Sequence, residues 1–551
     1  MRMIPDGSFL FSNNDVEECT HSRFYGYGVS KNALIFGTSG LQKYLDENNS
    51  AEWPSEGRFA GIFVEEERIL IKTDNTGQEL LYFFQKEDDW AVSNSFFLLL
   101  SYAKSLHELK FLPHIASCFH LKKGQHIGEQ LISHKTMVDE ITIVPITWQL
   151  IVNRESKEIQ FEKSGYLEKY TTVNEENYNE TVIEVLQNGA GLLKALSDNG
   201  HPLNPHISGG YDSRLVLCMI AIAGVSDNIN VSSYRHKTND YNSAVALCEH
   251  FGLPLNLTRM RQESVLSAGE ALRVYLMSCG GTYLPFYPMG DIVMRSPFEV
   301  VLTGDQPTGW SHFAGTAQFN GNADKIANDI LEFFDSSSIG KKLSDEFLST
   351  FDLLGIDKNH PAAMLAHYTA IRSRHHCGRN WYKSMGPRLL FTPLMDSRFI
   401  ALDLYNQKNG IHPTQLFIDT FSATGDWACE IPFETPERSF TEEQRRASPF
   451  FGGVDLKPTK FRLYGNPATT EDERSDSMFD IETRVGYNLE IMRKTITRQY
   501  HASKLAKSSG IFSEEDLQMI NAEIESEGTL SHGYRKLMHL IFVDLVLKTI
   551  Q

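Results

Sequence analysis

Residues 206–217 read HISGGYDSRLVL, and this stretch narrows the possible folds more than any other. Two adjacent glycines follow the short run PHIS (205–208). They precede DSRLVLCMIAIAG (212–224), which is apolar nearly all round and so reads as a buried helix. Glycines at such a junction let the backbone turn tightly and approach a ligand closely. The same alternation continues down the chain. NINVSSY (228–234) reads as a strand, DYNSAVALCEHFG (240–252) as a helix closed by Gly252, LPLNL (253–257) as a third strand and EVVLTGD (299–305) as a later one. Upstream, TVIEVLQNGAGLLKAL (181–196) has helical periodicity. Strands alternating with helices predict a parallel sheet with helices on its faces. Beyond about residue 320 the pattern is mostly helical.

The first 160 residues have a different texture. RFAGIFV (58–64), RILIKTD (68–74), ELLYFFQ (79–85) and WAVSNSF (90–96) are short runs of strand formers separated by turn-like clusters. EITIVPITWQLIVN (140–153) adds more strand character. LEKYTTVNEENYNE (167–180) is polar with no apolar face and reads as a linker. The chain thus divides into a β-rich part, residues 1–165, and an α/β part, residues 176–551.

A parallel strand ending in Ser-Gly-Gly before a helix is an anion site. The helix N-terminus offers unpaired N–H groups and partial positive charge. Ser208 and Ser213 add hydroxyls. Asp212 would repel a phosphate unless a divalent cation lay between them, and Mg²⁺ takes one or two carboxylates together with phosphate oxygens. No lysine follows the glycines, so the loop is neither GxxxxGK[ST] nor GxGxxG. The bland alternative is a glycine turn with Asp212 or Ser213 as a helix cap.

SGGYDS (208–213) resembles the pyrophosphate loop of the N-type ATP pyrophosphatases, and the order of motifs along the chain resembles the asparagine synthetase family. The stretches similar to that family are 58–85, AVSNSFFLLL (91–100), 135–153, 240–256, EVVLTGDQPTG (299–309) and LFTPLMDSRFIAL (390–402). The resemblance implies an N-terminal Ntn-hydrolase-like, glutaminase-like β sandwich and a C-terminal doubly wound domain of the adenine-nucleotide α-hydrolase-like (HUP) kind, with a helical C-terminal part. It implies an ATP- and Mg²⁺-dependent ligase that adenylates a substrate carboxylate for attack by an amine donor. Ser208, Gly209, Gly210, Tyr211, Asp212, Ser213 and Gly304 would then hold ATP and its pyrophosphate. Asp212 and Asp305 would hold the metal, although Asp305 also suits an ordinary turn and Tyr211 suits simple packing equally well.

Two departures matter. The family's nucleophilic cysteine directly follows the initiator methionine, where this chain has Arg2. The first domain is therefore expected to lack glutaminase activity, as in β-lactam synthetases and lasso-peptide cyclases. The second departure is LTGDQPTG, whose acidic pair is shortened to Asp305. For the group that stabilises the transferring phosphate, the register offers either Arg438 in CEIPFETPERSF or Lys460 in KPTKFRLYG. Arg214, a cation in the first helical turn, is expected to meet a phosphate, a substrate carboxylate or an internal acid. In SRHHCGRNWY (373–382), Arg374 and Arg379 are further candidates for an anionic substrate. A separate glutaminase partner, or a non-catalytic nucleotide-binding scaffold, would also fit these departures.

Net charge is 52 − 70 = −18, which disfavours nucleic acid and anionic membrane as partners. No apolar stretch is long enough to span a bilayer, and MRMIPDGSFLFSNN lacks the apolar core of a signal peptide. The seven cysteines are scattered without a CxxC, as expected of a reduced, cytoplasmic protein. Oligomeric state stays open, a homodimer included.

Overall fold

The structure is a computed structural model. It describes residues 8–48, 52–121, 127–225, 229–257, 298–309, 322–378, 388–467, 489–526 and 532–551, with isolated residues between 227 and 295. Met1, Arg2 and Arg379 lie outside the described residues.

The N-terminal part is built from two antiparallel sheets. The strands are β1 (Leu10–Ser12), β2 (Arg23–Ser30), β3 (Ala33–Phe36), β4 (Glu56–Val64), β5 (Arg68–Thr73), β6 (Tyr82–Lys86), β7 (Asp89–Ser93), β8 (Ile141–Ile143), β9 (Trp148–Asn153) and β10 (Ile159–Lys163). One sheet runs β1-β7-β6-β8 and the other β10-β9-β5-β4-β2-β3. Period-two alternation assigns the faces. Ala60, Ile62, Ile69, Ile71, Leu150 and Val152 meet Phe11, Phe83 and Val92 between the sheets. The opposite face of the larger sheet carries Phe24, Phe59 and Phe63, packed on Leu41 and Tyr44 of the helix Gly37–Glu47. The outer face of the smaller sheet, Tyr82, Phe84 and Ile143, is covered by the helix Phe96–Leu106 and by residues of the C-terminal helix His532–Ile550 such as Phe542. The layers are thus helix, sheet, sheet, helix.

The second part contains a parallel sheet. Its strands are β11 (Leu203–Pro205), β12 (Glu299–Leu302) and β13 (Arg388–Phe391), paired β11-β12-β13. Parallel bridges Leu203–Ile229, His206–Ser232 and Val231–Leu255 extend it on the other side. Numbered along the chain, the five segments lie in the order 3-2-1-4-5. In that order the chain changes direction of travel between β11 and β12, which opens a crevice beyond their carboxyl ends. The helix Tyr211–Ala223 follows β11 and ends on Gly224, whose φ of 63° is the left-handed stop expected of a C-terminal glycine. Gly252 closes the helix Thr238–Phe251 in the same way.

The two parts interlock. A strand from far down the chain, β14 (Arg462–Tyr464), pairs parallel with β3 and completes a seven-stranded sheet. Glu56 of β4 accepts hydrogen bonds from the Ser397 amide (2.9 Å) and hydroxyl (2.6 Å) at the start of the helix Ser397–Lys408. The segment read as a polar linker is partly docked. Tyr166–Tyr170 is a helix, Tyr166 and Tyr170 are buried, and Tyr178 donates to Asp419 at 2.8 Å. Widely spaced tyrosines hide in a polar sequence because each ring buries a large apolar area on its own, without a periodic apolar face. Among the described residues no helix is long and apolar enough to cross a membrane. The six described cysteines are buried free thiols.

Candidate functional site

The SGGYDS loop lies between β11 and its helix, as the sequence pattern requires. Gly210 is the extended residue before the helix. The loop amides find exchangeable acceptors. Ser208 N donates to Ser213 Oγ (3.1 Å), Gly210 N to Ser208 Oγ (3.3 Å) and Gly209 N to the Asp240 carboxylate (2.8 Å). Asp212 and Ser213 occupy the first helical turn. Gly304, just past β12, abuts them: a methyl group there would stand 2.8 Å from Asp212 Cβ and 3.0 Å from Ser213 N. Only glycine lets the β12 loop close on the helix N-terminus, so Asp212 and Asp305 are brought to the same crevice.

Asp305 accepts from Thr303 Oγ1 at 3.1 Å, and its carbonyl from Thr392 Oγ1 at 2.7 Å. The next turn closes on Gln306, whose Oε1 accepts from the Thr308 amide (2.6 Å) and the Gly309 amide (2.7 Å). Both carboxylates act on the same two buried groups. Burial first, then neighbouring charges that include Asp212 and Asp305, pushes the Tyr368 hydroxyl and the Cys377 thiol well above their ordinary values. Two carboxylates on one crevice beside a helix N-terminus are a donor set suited to Mg²⁺ shared with phosphate oxygens. Among the described residues no group of three His, Cys, Asp or Glu converges as a closed metal site would require.

Arg438 stands at the loop. Its Nη1 lies 3.4 Å from where a Gly210 Cβ would be, its guanidinium is 5.5 Å from the Tyr211 ring centroid, and its Nε pairs with Glu434 at 2.9 Å. Lys460 is elsewhere. Thr459, the residue before it, crosses the helix Tyr178–Asp198 at Gly191, and Gly189 of that helix packs on Met219. Met219 lies in the third turn of the loop helix. Lys460 is exposed.

Three expectations are corrected. Arg214 does not face a ligand. It is completely buried, and its Nη atoms donate to the carbonyls of Ala428 (3.1 Å), Ile431 (2.6 Å) and Pro432 (2.7 Å) and to Ser243 Oγ (3.2 Å). Its guanidinium lies 3.6 Å from the Phe433 ring centroid. Burial lowers its pKa to about 10, so it stays charged at neutral pH. Its work is to fasten the 428–433 segment to the loop helix, which in turn delivers Glu434 and Arg438. Tyr211 does not line a nucleotide site with its ring. The ring packs among Phe417, Phe421, Phe433 and Phe440, and its hydroxyl donates to the Arg438 carbonyl at 2.7 Å. Arg374 is also buried, donating to the carbonyls of Gly77 (2.8 Å) and Val144 (3.0 Å).

Sequence reading missed Asp240 and Glu434. Glu434 packs against Gly209 and its amide donates to the Gly209 carbonyl at 3.2 Å. The carboxyl groups of the two acids are hydrogen-bond partners. Burial and this hydrogen bond push the Glu434 carboxyl up. Burial works the same way on Asp240 but is outweighed by Glu434, the Gly209 amide, Lys237 and Arg438, which hold it below the carboxylate range. Asp240 was legible only as a first-turn acid of the helix after the second strand; nothing in the sequence places Glu434 at the loop.

No known family model matches the chain, and no curated protein matches it.

Proposed function

We propose that the chain is an ATP-dependent ligase that forms an amide bond through an acyl-adenylate. The observation that carries this reading is the crevice itself: Asp212 in the first turn of the loop helix, pressed against Gly304, with Asp305 acting on the same buried pair, Tyr368 and Cys377. Bound ATP would supply the activated phosphate, and Mg²⁺ held by Asp212 and Asp305 would neutralise the leaving pyrophosphate. The reaction is carboxylate plus ATP to acyl-adenylate plus pyrophosphate, then amine attack to give amide, AMP and a proton.

The chain's own residues divide the work. The helix N-terminus and the Ser208 and Ser213 hydroxyls bind the anion. Arg438, held by Tyr211 and Glu434, supplies the positive charge beside the loop. The Asp240–Glu434 pair takes or returns a proton beside Gly209 as the loop exchanges acceptors. The resemblance to the asparagine synthetase family supports the same reading, as does a parallel sheet of order 3-2-1-4-5 with the loop at its switch point. In this reading the four-layer N-terminal part is a glutaminase-like fold of the Ntn-hydrolase kind, and the parallel sheet is a HUP-like domain.

The test is to incubate the protein with ATP, Mg²⁺ and a panel of carboxylates with amines, and to measure AMP and pyrophosphate. Equal amounts of both, dependent on one carboxylate, are expected. ADP and phosphate instead would overturn the adenylation step.

A further inference from the structure

The crevice is braced from behind by the N-terminal part of the chain. The carbonyl of Asp305 is taken by Thr392 Oγ1 at 2.7 Å. The next carbonyl, that of Gln306, accepts from Ser373 Oγ at 3.4 Å. Ser373 Oγ in turn accepts from Gln78 Nε2 at 3.3 Å. Gln78 lies 295 positions before Ser373, between β5 and β6, in the loop that Asp74 closes. Gln78 is 2% exposed and Ser373 is fully buried, so bulk water does not compete for either bond.

The joint around this link is tight. Arg374, the residue after Ser373, donates to the carbonyls of Gly77 (2.8 Å) and Val144 (3.0 Å). A methyl group on Gly77 would stand 2.7 Å from Arg374 Nε, and one on Gly378 would stand 2.3 Å from the Gln78 carbonyl oxygen. Segments pressed this closely fix the separation of Gln78 and Ser373. The direction of the bonds is fixed as well. The Thr76 carbonyl lies 3.5 Å from the same Gln78 Nε2 and can only accept, which orients the amide. Ser373 has one hydroxyl hydrogen. With Gln78 donating to its oxygen, that hydrogen is left for the Gln306 carbonyl. Bonds linked in this way polarise and strengthen one another.

We propose that Gln78 and Ser373 are positioning residues for Asp305, so that the N-terminal part of the chain sets the Mg²⁺ side of the crevice. Holding the carbonyls of residues 305 and 306 limits rotation of the backbone there, and hence where the Asp305 carboxylate can reach. The relay rests on hydrogen-bond geometry; only its consequence for Mg²⁺ rests on the ligase reading. It gives the N-terminal part a task that needs no glutaminase chemistry.

The test is calorimetric titration of ATP, with and without Mg²⁺, into the parent, Gln78→Met, Ser373→Ala and the double variant. Hydrogen exchange of residues 299–309 is measured alongside in the nucleotide-free proteins. Each single variant is expected to weaken Mg·ATP binding about three- to ten-fold, to leave ATP affinity without Mg²⁺ unchanged and to speed exchange at 303–309. The double variant should lose no more than the larger single loss, because the two residues act as one link. Parent-like Mg·ATP affinity in both single variants overturns the proposal. So do equal losses with and without Mg²⁺, which mean a general loosening, and additive losses, which mean two separate contacts. A parent that binds no Mg·ATP overturns the ligase reading, and exchange then decides the relay alone. Acceleration at 303–309 that is no larger in the double variant upholds it, and parent-like exchange overturns it.

Discussion

Two acidic loops of this protein, TDNTGQE (73–79) and SGGYDS (208–213), look alike on paper and behave differently. In the first, Asp74 is buried and seals its own loop. It accepts from the amides of Thr76 (3.1 Å), Gln78 (3.0 Å), Glu79 (3.2 Å) and Phe59 (3.4 Å) and from Thr76 Oγ1 (2.7 Å). Arg374 then closes over the Gly77 carbonyl. In the second, the amides rest on two serine hydroxyls and on the partly exposed Asp240 of another helix. A loop whose donors are saturated by its own buried carboxylate is a structural joint. A loop whose acceptors are small hydroxyls and a borrowed acid can exchange them for phosphate oxygens.

The sharpest way to break this contrast is Asp74→Ala, which orphans several buried amides at once. It should cost about 3–5 kcal/mol in urea unfolding. A loss near that of a surface substitution would mean the first loop is not sealed. Arg214→Met comes next. It takes the arginine donor from the Ala428 and Ile431 carbonyls and from Ser243 Oγ, while the Pro432 carbonyl keeps only the Ser243 hydroxyl (2.8 Å), and should cost roughly 2–4 kcal/mol, with Mg·ATP binding weakened indirectly as the 428–438 segment loosens. Intact stability with lost binding would instead return Arg214 to the ligand.

A third prediction concerns the helical shell over the smaller sheet. Burial pushes His134 down to about 3, His120 and His367 down to about 4, and His539 well below its ordinary value. These pKa values lie below the unfolded value, so the neutral rings contribute stability above about pH 6.5. That stability is lost as pH falls toward 4. The thermal midpoint should therefore drop through this window, and His134→Leu should flatten the drop. An unchanged slope would show that His134 is not buried neutral. The smallest effect is expected of Asp240→Asn, within about 1 kcal/mol of the parent, because the amide oxygen still accepts from Gly209. Removing that charge should tighten nucleotide binding. A destabilisation as large as that of Asp74→Ala would erase the distinction between the loops.

Much of the scaffold was legible because its signals are local. The apolar helix after Gly210, the stop of the next helix at Gly252 and the strand runs at 58–96 follow from periodicity and glycine alone. What stayed hidden depends on distant partners. Arg214 and Tyr211 turn toward residues 428–440, over two hundred positions away, so a cation beside a phosphate loop looked like a ligand group. Lys460 leads into β14, a strand defined by pairing with β3 rather than by its own three residues.

The most direct measurement is calorimetric titration of ATP into the parent protein and Asp212→Asn, each with and without Mg²⁺. The parent should bind Mg·ATP and lose about ten-fold or more in affinity on Asp212→Asn, with the two proteins alike when Mg²⁺ is absent. Equal Mg·ATP affinity in both would contradict the assignment of the loop.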